Sequence, residues 1–541
     1  MQIKRVTALL VALGLTISML TGCGKTEEAN NTQVEESVES VESDDKEEVE
    51  VEDKGITFPL EEPITLTVAA LTNNEYILED SLAMRRMEEM TNVHVEFTYM
   101  PVSEAEKRTI LLNSGDYPDV FLKCHMEEEH FATGAIIPLE DMVREYAPNY
   151  SALMDKYDAW DKTTAADGHT YTLAQIQPNS YMNPILYINE TWLENIGMKT
   201  PTNLEEFYNV LKAFKEQDAN GNGDPDDEIP FLTCSDFDKL WNFAQCIGIN
   251  RQSHDSNEWA LDNENDEIYY WPASEKGKEM AAFLEKLYDE GLLYNDTFVS
   301  SHEQTDALGS SAPIAGCVLQ WAAYEMVGRT EEGGYGNDFD ALNPLEGLLP
   351  VSSGIAAGTF AITDACEYPE IALAWIDYLY SEEGAIAAWM GEEGVTYEVK
   401  GDGSWAYITD GEYGEDPYAS ATIQQGGGVN LPVLIPDRYI YEKYIDPTNI
   451  VETKKVAAKQ RILENYVYDA PFPTITLTEE ENDTYSTVNA DLKPYWKQYY
   501  AEVITGKKDL DATWDEFVAE MEEMGLTEIV DIYNAAYDRV K

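Results

Sequence analysis

The chain has 541 residues, with 103 Asp and Glu against 35 Lys and Arg, a formal net charge of −68. That balance argues against nucleic acid as a partner, because such binding rests on Lys and Arg neutralising phosphates. Cys23 apart, the five cysteines (Cys124, Cys234, Cys246, Cys317, Cys366) are odd in number and lack CxxC spacing. Buried free thiols are therefore expected rather than a disulfide framework or a zinc knuckle.

At the N-terminus, Lys4 and Arg5 precede an apolar run from Val6 to Leu20, and Leu20-Thr21-Gly22-Cys23 follows. A charged start, a short apolar core and small residues at the cut describe a secretory signal. The run is about 15 residues, short of the ~20 that a spanning helix needs. Leu-x-Gly-Cys resembles the bacterial lipobox, which implies a signal peptide over 1–22 and acylation of Cys23. The competing reading is an uncleaved anchor with a chance cysteine. Two or three acyl chains would hold the protein stably on a membrane. Residues 24–54 contain 13 acidic side chains and 3 lysines, so 23–54 reads as a lipid-anchored, disordered acidic tether.

Residues 55–541 keep 90 acidic and 30 basic side chains and are too many for one small core, so at least two lobes are expected. Alternation in Ile64–Val68 and Val93–Tyr99 predicts strands, with a helix over Asp80–Met90 between them. Gly115–Asp119 turns into a short strand at Val120–Leu122. Repeated units of this kind predict an α/β class with mainly parallel pairing. Thr202 and Glu205 have the spacing of a capping box, and Phe207, Leu211 and Phe214 then recur on one face. Pro369 suits a first helical turn before Ile371, Trp375, Ile376 and Leu379. Thr478/Glu481 and Thr513/Glu516 predict the starts of two C-terminal helices, Gly525 a stop, and a last helix follows from about Thr527. The C-terminus is thus helical and amphipathic.

The sharpest motif is Asp218-Ala-Asn220-Gly-Asn222-Gly223-Asp224-Pro-Asp226-Asp227-Glu228. Oxygen side chains at alternate positions, with glycine at the sixth, reproduce the first half of an EF-hand loop and suit Ca²⁺. Ile229 stands where the twelfth-position acid belongs, so Asp226, Asp227 and Glu228 would have to close the shell differently. An exposed Asx-rich turn is the alternative. The metal set is Asp218, Asn220, Asn222, Asp224, Asp227 and Glu228, with Asp226 competing with Asp227. No HExxH, G-x-S-x-G or P-loop spacing occurs, and carboxylates are too abundant for any pair to suggest glycoside hydrolysis. Aromatic residues are the other signal, with 11 Trp and 34 Tyr, several near glycines or predicted loops. Flat aromatic faces stack on sugar rings while neighbouring acids accept hydroxyl hydrogen bonds. Lys454, Lys455, Lys459 and Arg461 form the densest basic cluster, expected on a helix surface paired with acids.

Several segments together resemble the family 1 extracellular solute-binding proteins of ABC importers. They are Trp192–Gly197, Pro201–Phe207, Ser114–Asp119, the 218–228 loop, Ala361–Asp364, Ala374–Gly384, Gly391–Glu398 and the tail Ile504–Tyr537. Within that family the chain is most similar to large Gram-positive lipoproteins of the alginate and aldouronate oligosaccharide-binding type. The resemblance implies a periplasmic-binding-protein-like fold: two α/β lobes, hinge crossovers and a ligand cleft. Lobe 1 is expected at roughly 55–185 plus part of 305–360, and lobe 2 at roughly 186–304 plus 361–541. It also implies structural Ca²⁺, an oligosaccharide ligand, ABC permease subunits as partners, and a monomer on the outer face of the cell membrane. Tyr181, Trp241, Trp321, Tyr397 and Glu398 are the expected cleft residues. A cell-surface glycoside hydrolase or lyase is the alternative function, and an adhesin a third.

Overall fold

The computed structural model describes residues 56–541, apart from 73–77, 102–105, 178–179, 182–183, 225, 253–257, 329, 331–332, 409–410, 412–430 and 436–449. Cys23, the signal and the tether lie outside the described residues. The chain opens with β1 (Ile64–Thr72), β2 (Val93–Pro101), β3 (Val120–Leu122) and β4 (Thr172–Ile176). A short β5 (Ser180–Tyr181) leads to β6 (Ile185–Asn189) and β7 (Ile229–Leu232). The hairpin β8–β9 (Trp259–Asp262, Glu267–Tyr270) precedes β10 (Ala315–Gln320) and β11 (Phe339–Ala341). Then come β12 (Leu349–Ser352), β13 (Ile355–Ile362), the hairpin β14–β15 (Tyr397–Val399, Trp405–Tyr407) and β16 (Val467–Pro471).

Two sheets make two cores. The first has the order β2-β1-β3-β13-β4, the second β11-β6-β10-β7. Leu66 and Val68 of the β1 alternation are fully buried in the first core, and the run continues through Ala69 and Ala70, also buried. Pairing is mixed rather than mainly parallel. β1 runs parallel to β2 and β3, but β13 runs antiparallel to β3 and β4. In the second sheet β7 and β10 are parallel while β6 opposes β10 and β11. Chain crossing explains this. β6 and β13 each follow a passage between lobes, so they start at the hinge and run away from it, against strands that run towards it.

The same crossing corrects the expected lobe boundaries. β10, β11 and β12 belong with the second lobe or its hinge, whereas β13 completes the first sheet. Phe360, Ala361 and Ile362 of β13 are fully buried there. The helices Pro369–Asp377 and Glu382–Met390 pack on that first core, together with Leu431, Val433 and Ile435. These described segments, assigned by sequence to lobe 2, thus belong to lobe 1. The helix Ile450–Asn465 then packs on β11 of lobe 2. The hinge itself is a small sheet, β16-β12-β5, in which the backbone of Val351 pairs with that of Tyr181.

Helix starts follow local chemistry with small shifts. Asn203, not Thr202, caps the helix Leu204–Glu216; its side chain accepts the Glu206 N–H at 2.9 Å. Thr202 instead donates its N–H and hydroxyl to the Glu206 carboxylate, at 2.9 and 2.8 Å. Thr478 and Glu481 do form a capping box on the helix Glu479–Ile504. Thr513 lies inside the helix Leu510–Glu523, because Asp509 takes the cap. Gly525, with φ 108°, precedes the last helix, Leu526–Asp538. These C-terminal helices seal the second core through Trp496, Tyr500, Phe517 and Ile529, all 1% exposed or less. Cys124, Cys234, Cys246 and Cys317 are buried, Cys366 is half-buried, and all five are free thiols.

Candidate functional site

The two sheets turn particular ends towards the hinge. In lobe 2 these are the start of β6 and the ends of β7 and β10, since Ile185 pairs with Gln320 and β7 parallels β10. In lobe 1 they are the ends of β3 and β4 and the start of β13, where Lys123 and Met126 N–H groups donate to the Thr359 and Gly358 carbonyls. Open α/β sheets take ligands beyond the carboxyl ends of their strands, and a two-lobed chain places two such edges across one cleft.

Trp321 stands at that edge, directly after β10, and is 37% exposed. Its backbone is fixed: the Gln320 side chain accepts its N–H at 3.1 Å, and the Tyr187 hydroxyl donates to its carbonyl at 2.8 Å. Trp241 is not a cleft residue. It is 2% exposed and stands edge-on to Trp496 and Tyr500, with centroids 5.2 and 5.9 Å away. Its role is to hold the C-terminal helix to lobe 2, a packing partner some 250 residues distant in sequence. Tyr181 lies on hinge strand β5. Tyr397 and Glu398 lie on β14, on the flank of lobe 1, in a different lobe from Trp321. Tyr397, 8% exposed, lines a groove of about 660 Å³ with Leu82, Arg86, Ile386 and Glu392. Arg86 bridges the groove to Glu392 at 2.6 Å. Glu398 is exposed and outside that lining.

The turn after β7 was missed by sequence reasoning. Phe237 and Asp238 both adopt left-handed backbone, φ 50° and 58°. Such a conformation costs L residues roughly 1–2 kcal/mol each. Phe237 is nevertheless 67% exposed. Ser235 and the two aspartates around Phe237 are a turn signal that the sequence did offer. Asp236 Oδ2 accepts the His302 N–H at 3.0 Å and lies 3.1 Å from its ring Nδ1. Burial opposes ionisation of Asp236, but the donors from His302 hold its carboxyl below the usual range.

The 218–228 loop sits at the other end of β7 and is built from its own side chains. Asp218 accepts the Gly223 N–H at 2.9 Å, Asn220 that of Asn222 at 2.9 Å, and Asn222 that of Asp224 at 2.7 Å. Gly221 and Gly223 have φ of 73° and 92°, which the tight winding requires. The amides of Asn220 and Asn222 converge on the two oxygens of Asp227, at 2.8 and 2.7 Å. Asp226 is tied instead through its backbone, its N–H donating to Asp224 at 3.3 Å. Glu228 Oε1 accepts the Ala219 N–H at 3.0 Å, while Oε2 is buried with no partner among the described residues. Burial pushes the Glu228 carboxyl up, and the Asp227 charge adds to that. Four oxygen-bearing side chains, the orphaned buried Glu228 oxygen and the Asp227 carboxylate across the loop fit a Ca²⁺ ion. A bound ion there would be held by Asp218, Asn220, Asn222, Asp224, Asp227 and Glu228.

Lys454 and Arg461 of the basic cluster on the helix Ile450–Asn465 are paired with acids. Lys454 Nζ lies 2.8 Å from Glu190, and Arg461 3.4 Å from Asp340 and 2.9 Å from the Asn343 amide oxygen.

Known proteins are similar along nearly the whole chain. The fructooligosaccharide ABC transporter substrate-binding protein FusA of Streptococcus pneumoniae is 27% identical over 527 residues, 90% of this chain and 92% of that protein. The S. pneumoniae FusA structure in complex with kestose aligns with a TM-score of 0.71 and 25% identity, covering 88% of this chain and 99% of that one. Lipoprotein LipO of Bacillus subtilis is 24% identical over 98% of both chains. FusA is a substrate-binding protein rather than an enzyme, and nothing comparable supports the hydrolase alternative. The model of bacterial extracellular solute-binding proteins matches residues 75–386, more than half of the sequence, and the chain belongs to that family.

Proposed function

We propose that the chain captures an oligosaccharide between its lobes and delivers it to the permease subunits of an ABC importer. The observation that carries this is the likeness to FusA over nine-tenths of both chains, joined to an exposed tryptophan at the hinge-facing edge of lobe 2. Stacking on Trp321 needs no charge, and burying one aromatic face contributes about 1–2 kcal/mol by area. A thermal-shift screen against oligosaccharide families tests the reading. One family raises the melting midpoint if it is right; silence towards all, or turnover of a reporter glycoside, overturns it.

The protein works as a monomer, lipid-anchored through Cys23 on the outer face of the cell membrane, with 23–54 as a tether. The Leu20–Cys23 sequence and the likeness to LipO support that placement. Cys23→Ser should release the protein into the medium or leave it as precursor. A variant still membrane-bound at the normal mature mass contradicts the anchor. Loop 218–228 holds a structural Ca²⁺, which clips the helix Leu204–Glu216 to β7 and takes no part in chemistry.

A further inference from the structure

The turn that carries Phe237 is over-determined. Two consecutive non-glycine residues in the left-handed region persist only where their surroundings hold them. Here Asp236 Oδ1 accepts the Phe237 N–H at 3.1 Å, and Asp238 N–H donates to the Ser235 carbonyl at 3.2 Å. His302 holds Asp236 from one side, and Lys497 Nζ holds Asp238 from the other at 2.6 Å. None of these contacts buries the ring. Among the described residues, the aromatic neighbour that meets it is the His302 imidazole, edge-on at 4.6 Å. A single exposed apolar side chain is ordinary. One displayed in a strained conformation, by polar contacts from two distant helices, marks a site where the display itself is used.

We propose that the Phe237 ring is a second stacking platform of the cleft, taking the apolar face of a sugar unit in the same oligosaccharide that Trp321 engages. This rests on the oligosaccharide reading above. Both residues follow neighbouring parallel strands, β7 and β10, at their carboxyl ends. The short helix Tyr324–Val327 after Trp321 packs against the helix His302–Ser311, which anchors the Phe237 turn, so the two residues belong to one packed unit of lobe 2. Hydroxyl acceptors lie next to the ring and its histidine neighbour: Asp236 precedes Phe237, and Glu303 Oε1 lies 3.3 Å from His302 Nε2. An aromatic face flanked by carboxylates matches a neutral sugar, with its C–H face and rim of hydroxyls.

Calorimetric titration of the purified full chain with kestose, xylotetraose, cellotetraose and mannotetraose provides the test. For whichever sugar binds, Phe237→Ala and Phe237→Gly should each weaken affinity roughly tenfold, about 1.4 kcal/mol. Phe237→Trp should stay close to the wild type. Glycine adopts positive φ freely, so Phe237→Gly should melt at or above Phe237→Ala while binding no better. That opposite movement of stability and affinity separates a recognition role from a packing role. Should the sugar bind the Gly variant as tightly as the wild type while Trp321→Ala weakens it, the cleft reading stands and the Phe237 platform is wrong. The platform is equally wrong if sugar affinity is intact and only uptake by the assembled importer falls, which would make this a permease contact. If no sugar binds the wild type, the oligosaccharide reading itself has failed.

Discussion

Strand β7 has four residues, and its two ends are built in opposite ways. Before Ile229, loop 218–228 satisfies itself: five of its own side chains accept its own N–H groups. After Leu232, the turn at 235–238 is held mainly by residues far along the chain, His302 and Lys497. The first is a local device whose carboxylates crowd together without a counter-charge from within the loop. The second uses long-range contacts, the His302 hydrogen bond and the Lys497 ion pair, to show one ring to solvent. A metal clip needs only the first arrangement, whereas a recognition surface needs elements from across the lobe.

Variants break the comparison at different strengths. Trp241→Ala should cost most, about 3–5 kcal/mol, because it empties a buried aromatic junction just beyond the turn. Trp321→Ala, at the same sheet edge but exposed, should leave urea unfolding within about 0.5 kcal/mol while weakening ligand binding. Equal unfolding of the two would erase the division between core and cleft tryptophans.

At the other end of β7, free Ca²⁺ at a hundred times its dissociation constant should stabilise by about 2.7 kcal/mol. Asp227→Ala should remove that response and Asp226→Ala should keep it, read as melting in calcium against EDTA. If Asp226→Ala also abolishes it, the shell closes differently from the inward geometry of Asp227. On the display side, Lys497→Met should cost about 1 kcal/mol, the usual scale of a partly exposed pair. Its larger effect should fall on binding, through a loosened Phe237.

A pH titration supplies an internal control remote from β7. Arg539 donates to both carboxylate oxygens of Glu481, at 2.8 and 2.6 Å, and holds its carboxyl down to about 2 from 4.5. A depressed folded pKa contributes stability above the unfolded value, and that contribution is lost as pH falls from 4.5 towards 2. Glu481→Gln should flatten that segment of the acid-unfolding curve only slightly. No flattening at all means the pair carries no stability.

Legibility in the sequence tracked the same distinction between local and distant contacts. The winding of loop 218–228 could be read because its hydrogen-bond partners lie within it, and the alternation at Ile64–Val68 because burial there is set by the strand itself. The capping box at Thr478 was readable for the same reason. The Thr202 reading slipped by one residue because Asn203 offers an equally good oxygen next door, and Thr513 was pre-empted by Asp509. Trp241 was misplaced because its burial depends on Trp496 and Tyr500, contributed by the C-terminal helix. The lobe boundaries failed likewise, since only pairing with Leu122 and Ile176 tells that β13 returns to the first sheet. Phe237 carried no periodicity, and its exposure depends on side chains at 302 and 497.

The claim at the centre is a neutral oligosaccharide bound by aromatic faces within a strongly acidic body. Lys454 and Arg461 are already paired to Glu190 and Asp340, which engages two charges of the densest basic cluster. Screening within about 8–10 Å at physiological salt leaves distant carboxylates without a veto, so the ligand's charge has to be measured. Calorimetric titration of the purified protein at low and high salt measures it most directly. The account predicts micromolar binding of a neutral xylo-, gluco-, manno- or fructo-oligosaccharide, unchanged by salt. Tight, strongly salt-dependent binding of oligouronates, with no response to neutral sugars, would contradict it.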